Sequence, residues 1–317
     1  MNIQNLEENN GSANSYIIQK PGTYSFPLIY GNGNIKEGEC FDYLGRQIKR
    51  PEISEAVSCN LVSWDSSREF ISQLELKNNR ILTTISYVPK TGANYIIAVR
   101  DKNGTIIWSW HLWLWRDELK NEKVDEEVEI LNIDLASVWL DGKLRSWYYQ
   151  WGRKDPMYPG GKRNKPRIYR INDKINPISY PLGYVSIESW YNTKYLGSWA
   201  PEKTIYDPCP PGYKVPDPKT LEKLNSEKEK KNYFIENEVA KIEEHYFYLN
   251  GFRGIGTRNY MTGDFTPGLI AGLDTGRYWA NNPGFVMIIY RAVDGISLRY
   301  SNYTNKLNAM SIRPQKI

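Results

Sequence analysis

The sequence predicts a mainly β chain: an N-terminal β-sandwich followed by a compact, loop-rich α+β region. Three observations carry this. Aromatic residues make up 14% of the 317 positions, with 11 Trp and 24 Tyr, and such side chains suit pleated, half-buried surfaces. Asn, Gly and Pro are frequent while Ala is sparse, the balance of short strands joined by tight turns. Short apolar runs bounded by turn residues recur through the first third of the chain. At ~100 to 200 residues per domain, the length suits two.

Residues 1–13 are polar and read as a linker or disordered arm. The sandwich is expected over 14–116. Its strands fall at 16–19, 24–30, 56–64, 69–76, 80–88, 94–100 and 105–115, with turns at Lys20-Pro-Gly-Thr23 and Gly31-Asn-Gly-Asn34. Asp101-Lys-Asn-Gly104 is a hairpin signal, because Asn-Gly tolerates the positive φ angles a tight turn needs. The last strand is so apolar that both faces need cover, so it is central or lies under the second domain. Alternation puts Trp108, Trp110, Leu112 and Leu114 on one face, and Ser109, His111, Trp113 and Trp115 on the other.

Residues 116–129 are charged, lack an apolar stripe and contain the linker, 117–127. The second domain, 128–317, opens with a strand at 128–134. A Pro-, Gly- and Tyr-rich stretch with few regular elements covers 156–208. A short helix is expected at 217–225, with Asp217 as its cap, Pro218 in the first turn, and Leu221 and Leu224 sharing a face. The charge run 225–232 alternates in sign and reads as a solvated loop or helix end. Residues 232–242 read as a helical or irregular insertion. Strands follow at 246–251, 285–292, 296–300 and 309–313, with a hairpin turn at Asp294-Gly295. No repeat of fixed period occurs.

The chemistry is bounded by residue supply. A net charge of +5 arises from 41 basic and 36 acidic residues spread along the chain, which does not imply nucleic acid as a partner. No apolar run approaches the ~20 residues needed to cross a bilayer. Cys40, Cys59 and Cys209 lack metal-ligand spacing; Cys40 and Cys59 pair in an oxidising compartment or stay as buried thiols, and the sequence leaves this open. His111 reads as a satisfied buried histidine and His245 as a strand-end surface residue. No Gly-x-Ser-x-Gly elbow is present, Cys209 is held between prolines, and no carboxylate pair has a distinctive aromatic setting. Gly251-Phe-Arg-Gly-Ile-Gly256 lacks a strand-helix context for a nucleotide and reads as a loop. Asp264, Asp274 and Asp294 read as turn residues. No catalytic residue, cofactor or metal ligand is assigned. The aromatic segment 148–199 holds more rings than a local core needs, and the excess can meet sugars or a protein partner. Candidate binding residues are Tyr158, Tyr184, Trp190, Tyr191 and Trp199.

Three landmarks stand in fixed order: Trp147-Tyr-Tyr-Gln-Trp-Gly-Arg-Lys-Asp-Pro156; Tyr206-Asp-Pro-Cys-Pro-Pro-Gly-Tyr-Lys-Val-Pro216; and Arg277-Tyr-Trp-Ala-Asn-Asn282 followed by Ser311-Ile-Arg-Pro314. The set resembles the Fibrobacter succinogenes major paralogous domain of Bacteroides-type surface proteins. The Pro-rich loop leading into a helix is similar to an element of C-type-lectin-like and formylglycine-generating-enzyme folds, which implies a C-type-lectin-like second domain. Lys20-Pro-Gly-Thr-Tyr24 and Trp108-Ser-Trp-His111 resemble elements of the sandwich that precedes it. The chain departs from these relatives in two ways. Trp279-Ala-Asn-Asn282 has no Glu-Pro-Asn before it, against a lectin-type calcium site. Cys209 is the sole cysteine after residue 59, against formylglycine-generating activity.

The resemblance implies a non-enzymatic cell-surface or outer-membrane protein, an adhesin or fimbrial tip subunit. Its partners would be a glycan, a host or bacterial surface protein, or other fimbrial subunits. It also implies that a signal or lipoprotein segment, or a whole domain, precedes Met1 in the native protein. The alternative is a carbohydrate-binding or polysaccharide-processing accessory protein.

Overall fold

The strand Ile106–Leu114 is buried along its entire length, and the molecule is organised around it. A computed structural model describes residues 2–7, 11–35, 38, 40–41, 46–158, 177–181, 183, 199–224, 234–236, 238–242, 244–254, 270–271, 275–292, 295–306 and 308–317. The chain is mainly β, in several sheets, and no helix among the described residues is long and apolar enough to cross a membrane.

The first region holds eight strands: β1 Ile3–Asn5, β2 Ser15–Ile18, β3 Gly22–Pro27, β4 Ser58–Trp64, β5 Ile71–Lys77, β6 Arg80–Ile85, β7 Ala93–Arg100 and β8 Ile106–Leu114. They form two four-stranded sheets, ordered β1-β3-β6-β5 and β2-β8-β7-β4. Phe26, Ile81 and Ile85 of the first share a core with Tyr16, Ile97, Trp108 and Trp110 of the second. The expected strands are present within a few residues at their ends. The amino-terminal arm differs: Ile3–Asn5 pairs in parallel with residues 23–25, because the free edge of β3 offers ladder partners that outweigh the arm's polarity. In the turn after β7, Asp101 Oδ1 accepts the N–H groups of Asn103 and Thr105, and Gly104 alone takes a positive φ, +78°.

The second region continues with β9 Asn121–Lys123, β10 Glu129–Leu131, β11 Ser137–Leu140, β12 Lys143–Ser146, β13 Tyr149–Gln150, β14 Tyr213–Lys214 and the helix α1 Pro218–Lys223. After these come β15 Phe234–Glu236, β16 Val239–Ile242, β17 His245–Tyr248, β18 Phe252–Arg253, β19 Ile270–Ala271 and β20 Thr275–Trp279. β21 Val286–Ala292, β22 Gly295–Ser301, β23 Ala309–Met310 and β24 Gln315–Lys316 complete the set. The terminal strand β24 sits inside a sheet ordered β14-β24-β10-β9.

Four sequence expectations are corrected here. Within the expected linker 117–127, Asn121–Lys123 is an edge strand paired to β10. Residues 234–236 and 239–242 pair as antiparallel strands rather than forming a helical or irregular insertion, with Glu238 before the second strand in the left-handed conformation at φ +66°. Asp217 stands at the N-cap of α1 but makes no capping bond. Its carboxylate instead accepts from Lys214, Asn281 and Gln315. His245 is buried, not a surface residue, because Glu122 on β9 offers its ring an acceptor at 2.9 Å. Leu221 and Leu224 are buried in one cluster, as the helical spacing predicts. The charge run 225–232 and Asp264, Asp274 and Asp294 lie outside the described residues.

The two faces of β8 serve different cores. Trp108, Trp110, Leu112 and Leu114 face the core between the first two sheets. Trp113 and Trp115, with Ile96 of β7, pack against Trp147, Trp151 and Val215 of the second region. Traffic runs the other way too: Ile178, Ile205 and Tyr206 complete the first core. The three cysteines are free thiols.

Candidate functional site

The sequence landmarks meet in space. Trp147, Tyr149, Trp151, Cys209, Val215, Trp279 and Ile312 all belong to one buried cluster. Main-chain acceptors take two of the indole N–H groups: Trp279 donates to the Tyr149 carbonyl at 2.9 Å and Trp151 to the Ala280 carbonyl at 3.2 Å. Backbone bonds from Asn281 N to Pro216 O and from Trp279 N to Ser311 O tie the third landmark to the second and to the chain's end.

The Pro-rich loop is held by two buried charges. Lys203 Nζ donates to the carbonyls of Cys209, Pro210 and Tyr213 at 2.7 to 2.8 Å, so one ammonium ties three main-chain acceptors of the Pro-rich loop together. The Asp207 carboxylate accepts the N–H groups of Cys209 and Val215. Burial pushes the Cys209 thiol well above its ordinary range, and the adjacent Asp207 adds to this, so the group is a neutral packing member rather than a thiolate nucleophile.

A second polar network joins β8 to the first landmark. Lys154 Nζ lies 2.8 Å from Asp155 Oδ1 and 2.9 Å from the Ser109 carbonyl, and Ser109 Oγ donates to Asp155 Oδ1 at 2.6 Å. Burial lowers Lys154 to about 8 against the support of Asp155. A serine, a lysine and a carboxylate in contact are chemically capable of nucleophile activation, but all three are buried against the Trp108 ring, 4.6 Å from Lys154 Nζ.

Asn94 is the keystone of a third. Its amide nitrogen donates to Asp65 Oδ2 and to the Ala136 carbonyl, which fixes its oxygen toward His111 at 2.8 Å. His111 Nε2 therefore carries the proton and Nδ1 is left bare, without a partner. Burial lowers His111 to about 3 and raises Asp65 to about 6, the latter against hydrogen bonds from Asn94 and Trp147. His111 is buried as expected, but it is not fully satisfied, since among the described residues only Nε2 has a hydrogen-bond partner.

Fourth, Arg313 and Asp134 form a fully buried ion pair at 2.7 Å, with Tyr278 donating to the same carboxylate. Of the residues suited to chemistry by type, His111, His245, Cys209 and Lys154 are thus all interior and in separate networks. Among the described residues, no group of three His, Cys, Asp or Glu is placed to hold a metal ion.

No family model, curated protein or solved structure matches this chain.

Of the five candidate binding residues, Tyr184, Trp190 and Tyr191 lie outside the described residues. Trp199 is corrected: it is 2% exposed, its indole donates to the Tyr206 carbonyl and its ring packs 5.9 Å from Trp151, so it is core. Tyr158 is half-buried, edge-on to Trp147 at 5.6 Å. Of the 148–199 aromatics, Tyr148, Tyr149 and Trp151 are likewise core. The exposed rings lie elsewhere: among the described residues Trp64, Tyr87, Trp139, Tyr246 and Tyr303 are each more than 40% exposed. The sequence signal for two of them is Trp or Tyr beside Ser, Lys and Asp at strand ends, outside the apolar runs.

Proposed function

We propose that the chain is a non-enzymatic cell-surface adhesion protein, of fimbrial-tip type, that binds a glycan or a protein partner. In this reading the first region is a β-sandwich stalk and the second a C-type-lectin-like terminal domain. The observation that carries it is the junction of the three landmarks in one aromatic core, with Trp279 and Trp151 donating across it. Residues scattered over 147–314 have a reason to occur together if they build that core, which is what the resemblance to the paralogous domain needs. With no family model matching, the reading rests on these landmarks.

The buried networks support it further. Cys209, Lys154, His111 and Arg313 serve as internal fasteners, which suits a protein that must keep its shape under load better than one that must present a reactive group. The test is a glycan array and a cell-adhesion assay with the purified chain, run beside a product assay on every bound polysaccharide. Retention without turnover supports the proposal. Release of reducing ends defeats it in favour of a polysaccharide-processing protein.

A further inference from the structure

The dipeptide Asn-Gly occurs at 10–11, 32–33, 103–104 and 250–251. The pair is reactive because glycine has no Cβ to keep its backbone nitrogen away from the asparagine side chain before it. The first pair lies outside the described residues, and the structure separates the other three by what holds the asparagine amide. The main chain does little to distinguish them. Gly33 N donates to the Tyr30 carbonyl at 2.8 Å, Gly104 N to that of Asp101 at 3.0 Å and Gly251 N to that of Thr275 at 2.7 Å.

The side chains do distinguish them. Asn250 is 1% exposed, and its amide donates to Ser146 Oγ at 3.0 Å and accepts from Arg145 Nη1 at 3.4 Å. Asn32 donates to the Lys203 carbonyl at 2.7 Å and accepts the Asn34 N–H at 2.9 Å. Asn103 is exposed, in the turn between β7 and β8. Its backbone N–H is bonded to Asp101 Oδ1 at 2.9 Å, but its side-chain amide has no partner among the described residues. A Cβ placed on Gly104 would meet nothing within 4 Å, so the amide has open space in which to turn onto the Gly104 nitrogen.

We propose that Asn103 is a site of spontaneous self-modification, converting to aspartate and isoaspartate through a cyclic imide formed with Gly104. This is independent of the adhesion reading. The Gly104 backbone nitrogen attacks Cγ of Asn103, the bond from Cγ to the side-chain nitrogen breaks, and ammonia leaves with the proton that Gly104 gives up. Water then opens the ring. Opening at the side-chain carbonyl gives aspartate, and opening at the main-chain carbonyl gives isoaspartate. Either product brings a new carboxylate close to Asp101. The isoaspartyl form also lengthens the main chain of a turn in which Asp101 Oδ1 spans Asn103 N and Thr105 N, each at 2.9 Å. That turn joins the two central strands of the sheet ordered β2-β8-β7-β4.

The test is incubation of the full chain in mildly alkaline buffer, folded and in denaturant, with peptide mass mapping and isoaspartate detection over time. In the folded chain the Asn103 peptide should gain the mass that replacing NH2 by OH brings, and isoaspartate should appear there. Asn32 and Asn250 should convert at least about ten-fold more slowly, since each has two side-chain hydrogen bonds to break first. In denaturant this difference should disappear. Asn103→Gln, at an exposed position, should keep the wild-type melting temperature and lose the product, because its longer side chain disfavours the five-membered ring. The site is overturned if Asn32 or Asn250 converts as fast as Asn103 in the folded chain, or if Asn103 stays intact while the denatured chain converts. A preference for Asn103 that persists in denaturant would come from local sequence and overturn the structural assignment.

Discussion

The ring of Tyr206, a residue of the Pro-rich landmark, lies 5.5 Å from that of Trp108, in the core built by the first eight strands. Tyr206 is 2% exposed and its hydroxyl donates to the Phe41 carbonyl. One loop of the second region therefore fills the first. Gly31 accommodates the approach: a Cβ there would meet the Ile205 carbonyl oxygen at 2.2 Å, and its φ is +47°.

Tyr206→Ala should cost about 3 to 5 kcal/mol of unfolding free energy, the range for deleting a large buried ring. Denaturant titration measures it. A loss below about 1 kcal/mol would mean that the first core is complete without this ring.

Lys203→Met should be strongly destabilising, because it removes a buried ammonium that bonds three carbonyls and leaves that of Cys209 without this partner in the interior. A loss of about 3 to 5 kcal/mol is expected, the range for removing one member of a buried charged network. Val215→Ala, which opens the cluster under the same loop, should cost about 1 to 4 kcal/mol. Cys209→Ser should leave ligand binding unchanged. If instead it abolished an activity while the melting temperature held, the cysteine would be chemical and the adhesion reading would give way to an enzyme.

Acid should act on His111 and Asp65 in opposite senses. His111 sits at about 3, below its ordinary value near 6.5. The unfolded chain therefore takes up that proton first, and stability is lost as pH falls from 6.5 toward 3. Asp65 sits at about 6, above its ordinary value near 3.8. The folded chain takes up this proton first, so its contribution is complete below 3.8 and lost as pH rises through 6. Between 3.8 and 6 the two largely offset. Asp65→Asn should expose the histidine term, steepening the pH dependence in that window by about 1.4 kcal/mol per pH unit relative to wild type. Parallel stability profiles for the two proteins would contradict the assignment.

The strands of the first region were legible because each is a short run bounded by turn residues, and the double-faced burial of β8 followed from its lack of polar alternation. The hairpin of β15 and β16 was not legible: Phe234-Ile-Glu and Val239-Ala-Lys-Ile are short and charged, and β17 supports the second of them by pairing from outside their own sequence. His245 was misread for the same reason, since its partner Glu122 is on another sheet. The described aromatics Tyr148, Tyr149, Trp151 and Trp199 of the 148–199 segment are all core. What composition does not reveal is that β7 and β8 supply the missing wall, which draws Tyr149, Trp151 and Trp199 inward. The rings left for solvent among the described residues fall at strand ends of the first region, on the β11–β12 hairpin, on β17 (Tyr246) and just after β22 (Tyr303).

The interlocked cores predict that the two sequence regions unfold together, with the Pro-rich loop as fastener. Scanning calorimetry of the full chain, compared with a fragment of residues 1–116, measures this most directly. The full chain should unfold in a single transition, and the fragment, lacking Ile178, Ile205 and Tyr206, should show no cooperative transition near that temperature. Two resolved transitions in the full chain, one of them reproduced by the fragment alone, would contradict it.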